Sequence, residues 1–128
     1  MTDKAIEQEI QDKGLTAPRI TPQALQDNIA HCHYFTAYQG ALMGCDPIKF
    51  REAQKFGGDP EGISTSLRLL TFCVLVLQNG FTVSGESACA SPENFDEEIG
   101  RKIARQNAEQ KIWPLMGYEL KQRLSEKA

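Results

Sequence analysis

Arg101 and Arg105 stand four residues apart in a segment of helical periodicity, so both guanidinium groups fall on one face, where together they can grip a phosphate or pyrophosphate. The same spacing serves ordinary helix-surface ion pairs with Glu97, Glu98 and Glu109, and on spacing alone that is the commoner arrangement. Phe95 offers a ring for stacking on a base, although such a ring is more often a core anchor. Asn94 carries an amide that reads a ligand edge or caps a helix start, the latter being its usual job. Glu86 reads as a solvated strand carboxylate. His31 or His33 could serve as a base, yet no order of Ser, His and acid is better supported than another, and no nucleophile elbow, P-loop, dinucleotide fingerprint or H-E-x-x-H is present. An enzyme reading therefore rests on nothing specific, and no cofactor is implied.

His31-Cys32-His33 tempts a metal reading. Alternation on a strand sends the two imidazoles to one face and the thiol to the other, so the three cannot share a tetrahedral ion without rearrangement, and no metal site is expected. Cys32, Cys45, Cys73 and Cys89 lack CxxC spacing and read as buried small hydrophobes in a reducing compartment, without a disulfide framework.

The elements that must position these groups are readable in part. Thr2 to Lys13 reads as a short helix with a narrow apolar stripe, Ile6 and Ile10, stopped by Gly14. Alone it is marginal, so it docks on a neighbour or frays. A second short helix begins at Thr21-Pro22, with Ile20 and Leu25 placed as a hydrophobic staple, and ends near Asn28. Aromatic and β-branched content predicts a strand over residues 30–38. Glycine and proline then punctuate residues 39–66, a variable loop or insertion with a helical turn or two from Asp46-Pro47 to Lys55.

The strongest local signal is a hairpin, residues 69–78 and 81–88, around Asn79-Gly80, whose tolerance of positive φ suits a two-residue type I′ turn. That turn would set Val76 opposite Val83 and Leu75 opposite Ser84. Ser91-Pro92-Glu93-Asn94 opens a long helical segment over 92–126, kinked or broken at Pro114. Phe95, Ile99 and Ile103 group on one side, while Gly100, Ala104 and Ala108 form a small-residue ridge that lets another backbone approach. The C-terminal stripe Trp113, Met116, Leu120 and Leu124 reads as core or oligomer interface. Together these elements predict a single α+β domain over residues 1–128: a small antiparallel sheet, short N-terminal helices and a long kinked C-terminal helical segment.

Composition bounds the partners. The chain has 128 residues, 41% of them hydrophobic, with 14 basic and 17 acidic side chains and a formal net charge of −3. One core is expected, and wholesale disorder is excluded. No net positive field is available for a polynucleotide backbone, whereas a small anion needs only two or three local cations. The longest apolar stretch, Leu69 to Leu77, is far below the ~20 residues that span a bilayer, and the N-terminus has no signal-peptide pattern, so a cytosolic protein is expected.

One block carries a resemblance. The run LTFCVLVLQNGFTVSGESACASPENFDEEIGRKIARQNA (70–108), continuing into KIWPLMGY (111–118), resembles the tailed-phage and prophage family named after gene 49 of phage N4 and gene 66 of phage Sf6. KGLTAPRITP (13–22) and HYFTA (33–37) are similar too, so the resemblance covers most of the chain outside residues 39–66. It links the chain to the first described type of Thoeris anti-defence protein. That implies a non-enzymatic phage sponge in the bacterial host cytoplasm, which sequesters the glycocyclic ADP-ribose signal of Thoeris TIR proteins and, in some members, CBASS cyclic oligonucleotides. It also implies a homo-oligomer, a dimer or a higher assembly such as a hexamer, with C-terminal helices joining protomers and a pocket between them. On this resemblance Arg101 and Arg105 hold phosphates and Phe95 stacks on a base, with Asn94, Glu86 and Phe81 also facing the pocket. The alternative is a helical interaction protein that binds a host or phage protein.

Overall fold

Three antiparallel strands, β1 (Ile29–Thr36), β2 (Leu70–Leu77) and β3 (Thr82–Ala88), lie side by side in chain order and are backed on one face by a bent C-terminal helical pair, with short helices at the N-terminus and between the first two strands. The computed structural model describes residues 2–55 and 62–127. Gly57, Gly58 and Pro60, part of the expected loop punctuation, lie outside the described residues.

Caps start the N-terminal helices where their hydroxyls predict. The Thr2 hydroxyl accepts from the Ala5 N–H at 3.2 Å to open α1 (Asp3–Asp12), and that of Thr21 accepts from Ala24 at 3.0 Å to open α2 (Pro22–Asp27). α1 buries no residue. It is fastened instead, because Arg19 donates through both Nη atoms to the Glu7 carboxylate, while Ile6 and Ile10 line a cleft with Ile20 and Trp113. The expected docking of this marginal helix thus has an identified partner.

β1 (Ile29–Thr36) ends at Thr36 rather than Tyr38. The Thr36 hydroxyl accepts from the Gln39 N–H at 3.1 Å, and the Gln39 side chain accepts from the Thr36 N–H at 2.9 Å, a complete capping box that converts the next residues into α3 (Ala37–Met43). The helical turns expected after Asp46 form α4 (Pro47–Lys55), and a 3₁₀ turn, Thr65–Leu69, leads into β2 (Leu70–Leu77).

The hairpin forms, but its register differs by one residue from the two-residue turn. Leu77 N–H donates to Phe81 C=O at 2.8 Å and Gly80 N–H to Leu77 C=O at 2.9 Å, enclosing a three-residue loop. Within the loop only Gly80 has positive φ, +89°; Asn79 stays out of the left-handed region, and its side chain accepts from Phe81 N–H at 2.9 Å. This is the three-residue hairpin solution with glycine at the left-handed position. The slip exchanges faces: Leu75 now opposes Val83 and Cys73 opposes Gly85, so β2 and β3 (Thr82–Ala88) bury one consistent set.

That set, with Leu25 from α2 and Ala104, Ala108 and Ile112 from the C-terminal helices, is the core. The expected small-residue ridge is its helical side. A Cβ on Gly85 would lie 2.3 Å from both Ala104 O and Ala108 N, so the bare glycine backbone is what lets α5 (Glu97–Gln110) press onto the sheet. Ile99 and Ile103, on a different side of the helix, are 55% and 43% exposed.

Two boundaries of the C-terminal segment shift. Residues Pro92–Asn94 form a 3₁₀ turn and Asp96, not Asn94, caps α5, its carboxylate accepting from the Ile99 N–H at 3.0 Å. The bend falls at Lys111, and Pro114 sits in the first turn of α6 (Ile112–Lys127), where its missing N–H has no helical partner to lose.

Candidate functional site

α5 packs over β2 and β3 rather than over β1. The inner face of β1 at Cys32 and Tyr34 is therefore half-covered, and arginine side chains of α5 extend across it. The Arg101 guanidinium carbon lies 5.7 Å from the Tyr34 ring centroid. Arg105, one turn on, is close enough to the Tyr34 side chain for the two groups to interact. The two cations that spacing placed on one helix face thus converge on a single aromatic ring.

They are held differently. Arg105 is partly buried and pinned: Nε donates to Glu109 Oε1 at 2.8 Å, Nη2 donates to Gln26 Oε1 at 3.1 Å, and Gln26 Nε2 donates to the same Glu109 oxygen at 3.0 Å. Hydrogen bonding to Glu109 drives the Arg105 pKa further above its ordinary value, so its charge is permanent. Burial raises the Tyr34 hydroxyl, which stays neutral and able to donate at physiological pH. Arg101 is exposed and pairs with Glu97 at 2.6 Å. Such an exposed i,i+4 pair contributes only ~0.3–0.5 kcal/mol, so Arg101 exchanges partners at little cost. Both arginines make the helix-surface ion pairs that their spacing allows, and the contact with Tyr34 is additional.

The other candidates are distributed. Phe95 is half-buried and packs beside Gly100, as a core anchor would. Asn94 is exposed, its N–H donating to Ser91 C=O at 3.1 Å. Glu86 projects from the opposite face of the sheet to Tyr34, while its backbone carbonyl accepts from the Asn107 amide at 2.9 Å. Phe81 is 56% exposed beside a cleft of about 660 Å³ at the hairpin tip, lined also by Asn79, Leu115 and Met116. One chain therefore assembles Arg101, Arg105 and Tyr34, with Glu86 on the other face of the sheet and Phe81 at the hairpin tip.

Tyr34 and Gln26 belong to this site and were not singled out from the sequence. Alternation along β1 places Tyr34 on the face of Cys32, which is a usable signal once α5 is known to lie there. Gln26 has no local signal, being 79 residues from Arg105. Gln26 and Glu109 also border a cleft of about 760 Å³ that contains Gln106, Gln110 and Trp113. His31 and His33 stack 6.4 Å apart on the outer face with Cys32 on the inner one, and no group of three metal-ligating side chains occurs among the described residues.

A family model described as "Phage protein (N4 Gp49/phage Sf6 gene 66) family" matches residues 20–124. The chain belongs to this phage protein family. The family region contains Gln26, Tyr34, Arg101, Arg105 and Glu109, whereas α1 precedes it. No curated protein and no solved structure matches the chain. Among the described residues, no helix is long and apolar enough to cross a membrane.

Proposed function

We propose that this phage protein is a non-catalytic sponge that binds and sequesters, without cleaving, a cyclic ADP-ribose-type immune signal such as the glycocyclic ADP-ribose of Thoeris TIR proteins, with CBASS cyclic oligonucleotides as further ligands. The observation that carries this reading is the convergence of Arg101 and Arg105 on Tyr34, beside the resemblance to Thoeris anti-defence proteins. Two cations one turn apart suit adjacent phosphates of a small ligand, and a net charge of −3 leaves no field for a polynucleotide. Hydrogen bonds to Glu109 and Gln26 fix the Arg105 plane while leaving part of its five N–H donors open. Glu86 and Phe81 lie apart from the arginines within one chain, so they join the site only where protomers assemble. Self-association is accordingly part of the proposal, and the host cytoplasm, where the signal is made, is where the sponge works.

Sequestration is stoichiometric, so it requires a dissociation constant below the signalling concentration; ~1 nM corresponds to about −12 kcal/mol. The test incubates the protein with TIR-generated signal and with CBASS cyclic nucleotides, removes unbound ligand, then releases the bound fraction by heat for mass analysis. Intact ligand is expected. A cleaved product contradicts the sponge in favour of an enzyme.

A second reading, a helical interaction protein, is favoured by α6, on which Tyr118 is 75% and Leu124 37% exposed. Stoichiometric capture of one host or phage protein, with no nucleotide retained, selects it.

A further inference from the structure

Cys32 and Cys73 lie on neighbouring antiparallel strands, diagonal to each other, since Cys32 opposes Leu75 and Tyr34 opposes Cys73. Both thiols point to the helix-covered face, and their sulfurs are 3.8 Å apart. A disulfide needs about 2.05 Å between sulfurs and Cα atoms within about 7 Å, and diagonal cross-strand partners stand ~7–8 Å apart, so closing the gap requires the β1 backbone to move toward β2 as well as side-chain rotation. The two thiols are unequal. Cys73 is fully buried, whereas Cys32 is partly exposed. Burial pushes the Cys73 thiol up to about 12 and shields it, whereas its partial exposure makes Cys32 the sulfur that meets an oxidant first.

We propose that Cys32 and Cys73 are a redox-active dithiol, with Cys32 as the reactive and Cys73 as the resolving sulfur, that hydrogen peroxide converts to an intramolecular disulfide. The Cys32 thiolate attacks the peroxide and takes one oxygen, giving a sulfenic acid while the O–O bond breaks and the second oxygen leaves as water after protonation. The Cys73 sulfur then attacks the Cys32 sulfur, the S–OH bond breaks, a second water leaves with the Cys73 proton, and the S–S bond forms. Two electrons pass from the two thiols to the peroxide. The bond clamps β1 to β2 directly beneath Arg105 and draws the Cys32 sulfur from the Tyr34 and Arg105 side chains. This inference stands independently of what the arginines bind.

The test treats the whole protein with hydrogen peroxide, denatures it, alkylates free thiols and maps the peptides under non-reducing conditions. Alkylation is expected to fall from four cysteines to two, Cys45 and Cys89, with one Cys32–Cys73 cross-link that dithiothreitol reverses. In C73S, dimedone is expected to trap a sulfenic acid at Cys32, and in C32S none is expected at Cys73. Four alkylated cysteines, a bridge through Cys45 or Cys89, a link between chains, or sulfinic acid at Cys32 in place of the bridge overturns the proposal. The wild-type peptide map decides even where C73S fails to fold.

Discussion

Arg105 and Arg101 make different demands on the fold, and their substitution should separate. Arg105 is fixed by Glu109 and Gln26, so its donors are preorganised, whereas Arg101 surrenders only an exposed pair with Glu97 to meet a ligand. A hydrogen bond to a charged group contributes ~1.5–3 kcal/mol, so Arg105→Ala should weaken ligand retention about 10- to 100-fold, Arg101→Ala less, and the double substitution should abolish it. Equilibrium dialysis beside circular dichroism of the same samples checks that retention falls while the fold stays. Glu7 supplies a pH-dependent counterpart. Its hydrogen bond with Arg19 holds the carboxyl at about 2, below the ordinary 4.5. The folded form therefore binds this proton more weakly than the unfolded chain, and the fastening of α1 is present above about pH 5 and lost as pH falls toward the depressed value. Trp113 shares a cleft with Ile6 and Ile10, so its fluorescence should change across that window. Glu7→Gln should show the detached signal already at neutral pH; an unchanged spectrum would remove Glu7 as the fastener.

At the scale of elements, the contact between β3 and α5 is the least forgiving. The Cβ of Gly85→Ala would meet helix backbone, not a movable side chain, at 2.3 Å. Overpacking costs ~1–3 kcal/mol where side chains can shift, and this substitution should reach or exceed the upper figure, read as a lower urea midpoint. Asp96→Ala should cost ~1 kcal/mol by removing the α5 cap, while Asn94→Ala should stay within about 0.5 kcal/mol. Equal losses in chemical denaturation would contradict the assignment of the cap. These two sites mark how far the sequence could be read. The small-residue ridge, the caps of α1 and α2 and the opposed faces of His31 and Cys32 were legible because each depends on local periodicity or one side chain. The hairpin was legible but its register was not, since Asn79-Gly80 satisfies both a two-residue and a three-residue turn and only the burial of Leu75 against Val83 decides. Asn94 and Asp96 are both competent caps two residues apart, and Phe95, extended between them, selects the second. For the site itself, Arg101 and Arg105 were visible from spacing. Their meeting with Tyr34 and Gln26 was not, because it depends on which strands α5 covers.

For the whole molecule, the far end of α6 bears on assembly. Trp113 and Met116 of α6 pack against the core, but Tyr118 and Leu124 beyond them remain exposed on a 16-residue helix. A helix end of this kind draws little stability from its own chain. Leu124→Glu should shift the protein to a smaller species in light scattering without changing its helicity, and ligand retention should fall with it if protomers complete the pocket. An acidic balance, 17 against 14, is compatible with the proposed role, since a small anion would be met by placed cations and not, as a polymer is, by a field. The most direct measurement of the central claim is the mass of what heat releases after the protein has been incubated with TIR-generated signal and freed of unbound ligand. An intact cyclic ADP-ribose-type molecule, retained by the wild type and lost from the Arg101→Ala, Arg105→Ala double variant, is predicted; a cleaved product, or equal retention by the double variant, would contradict it.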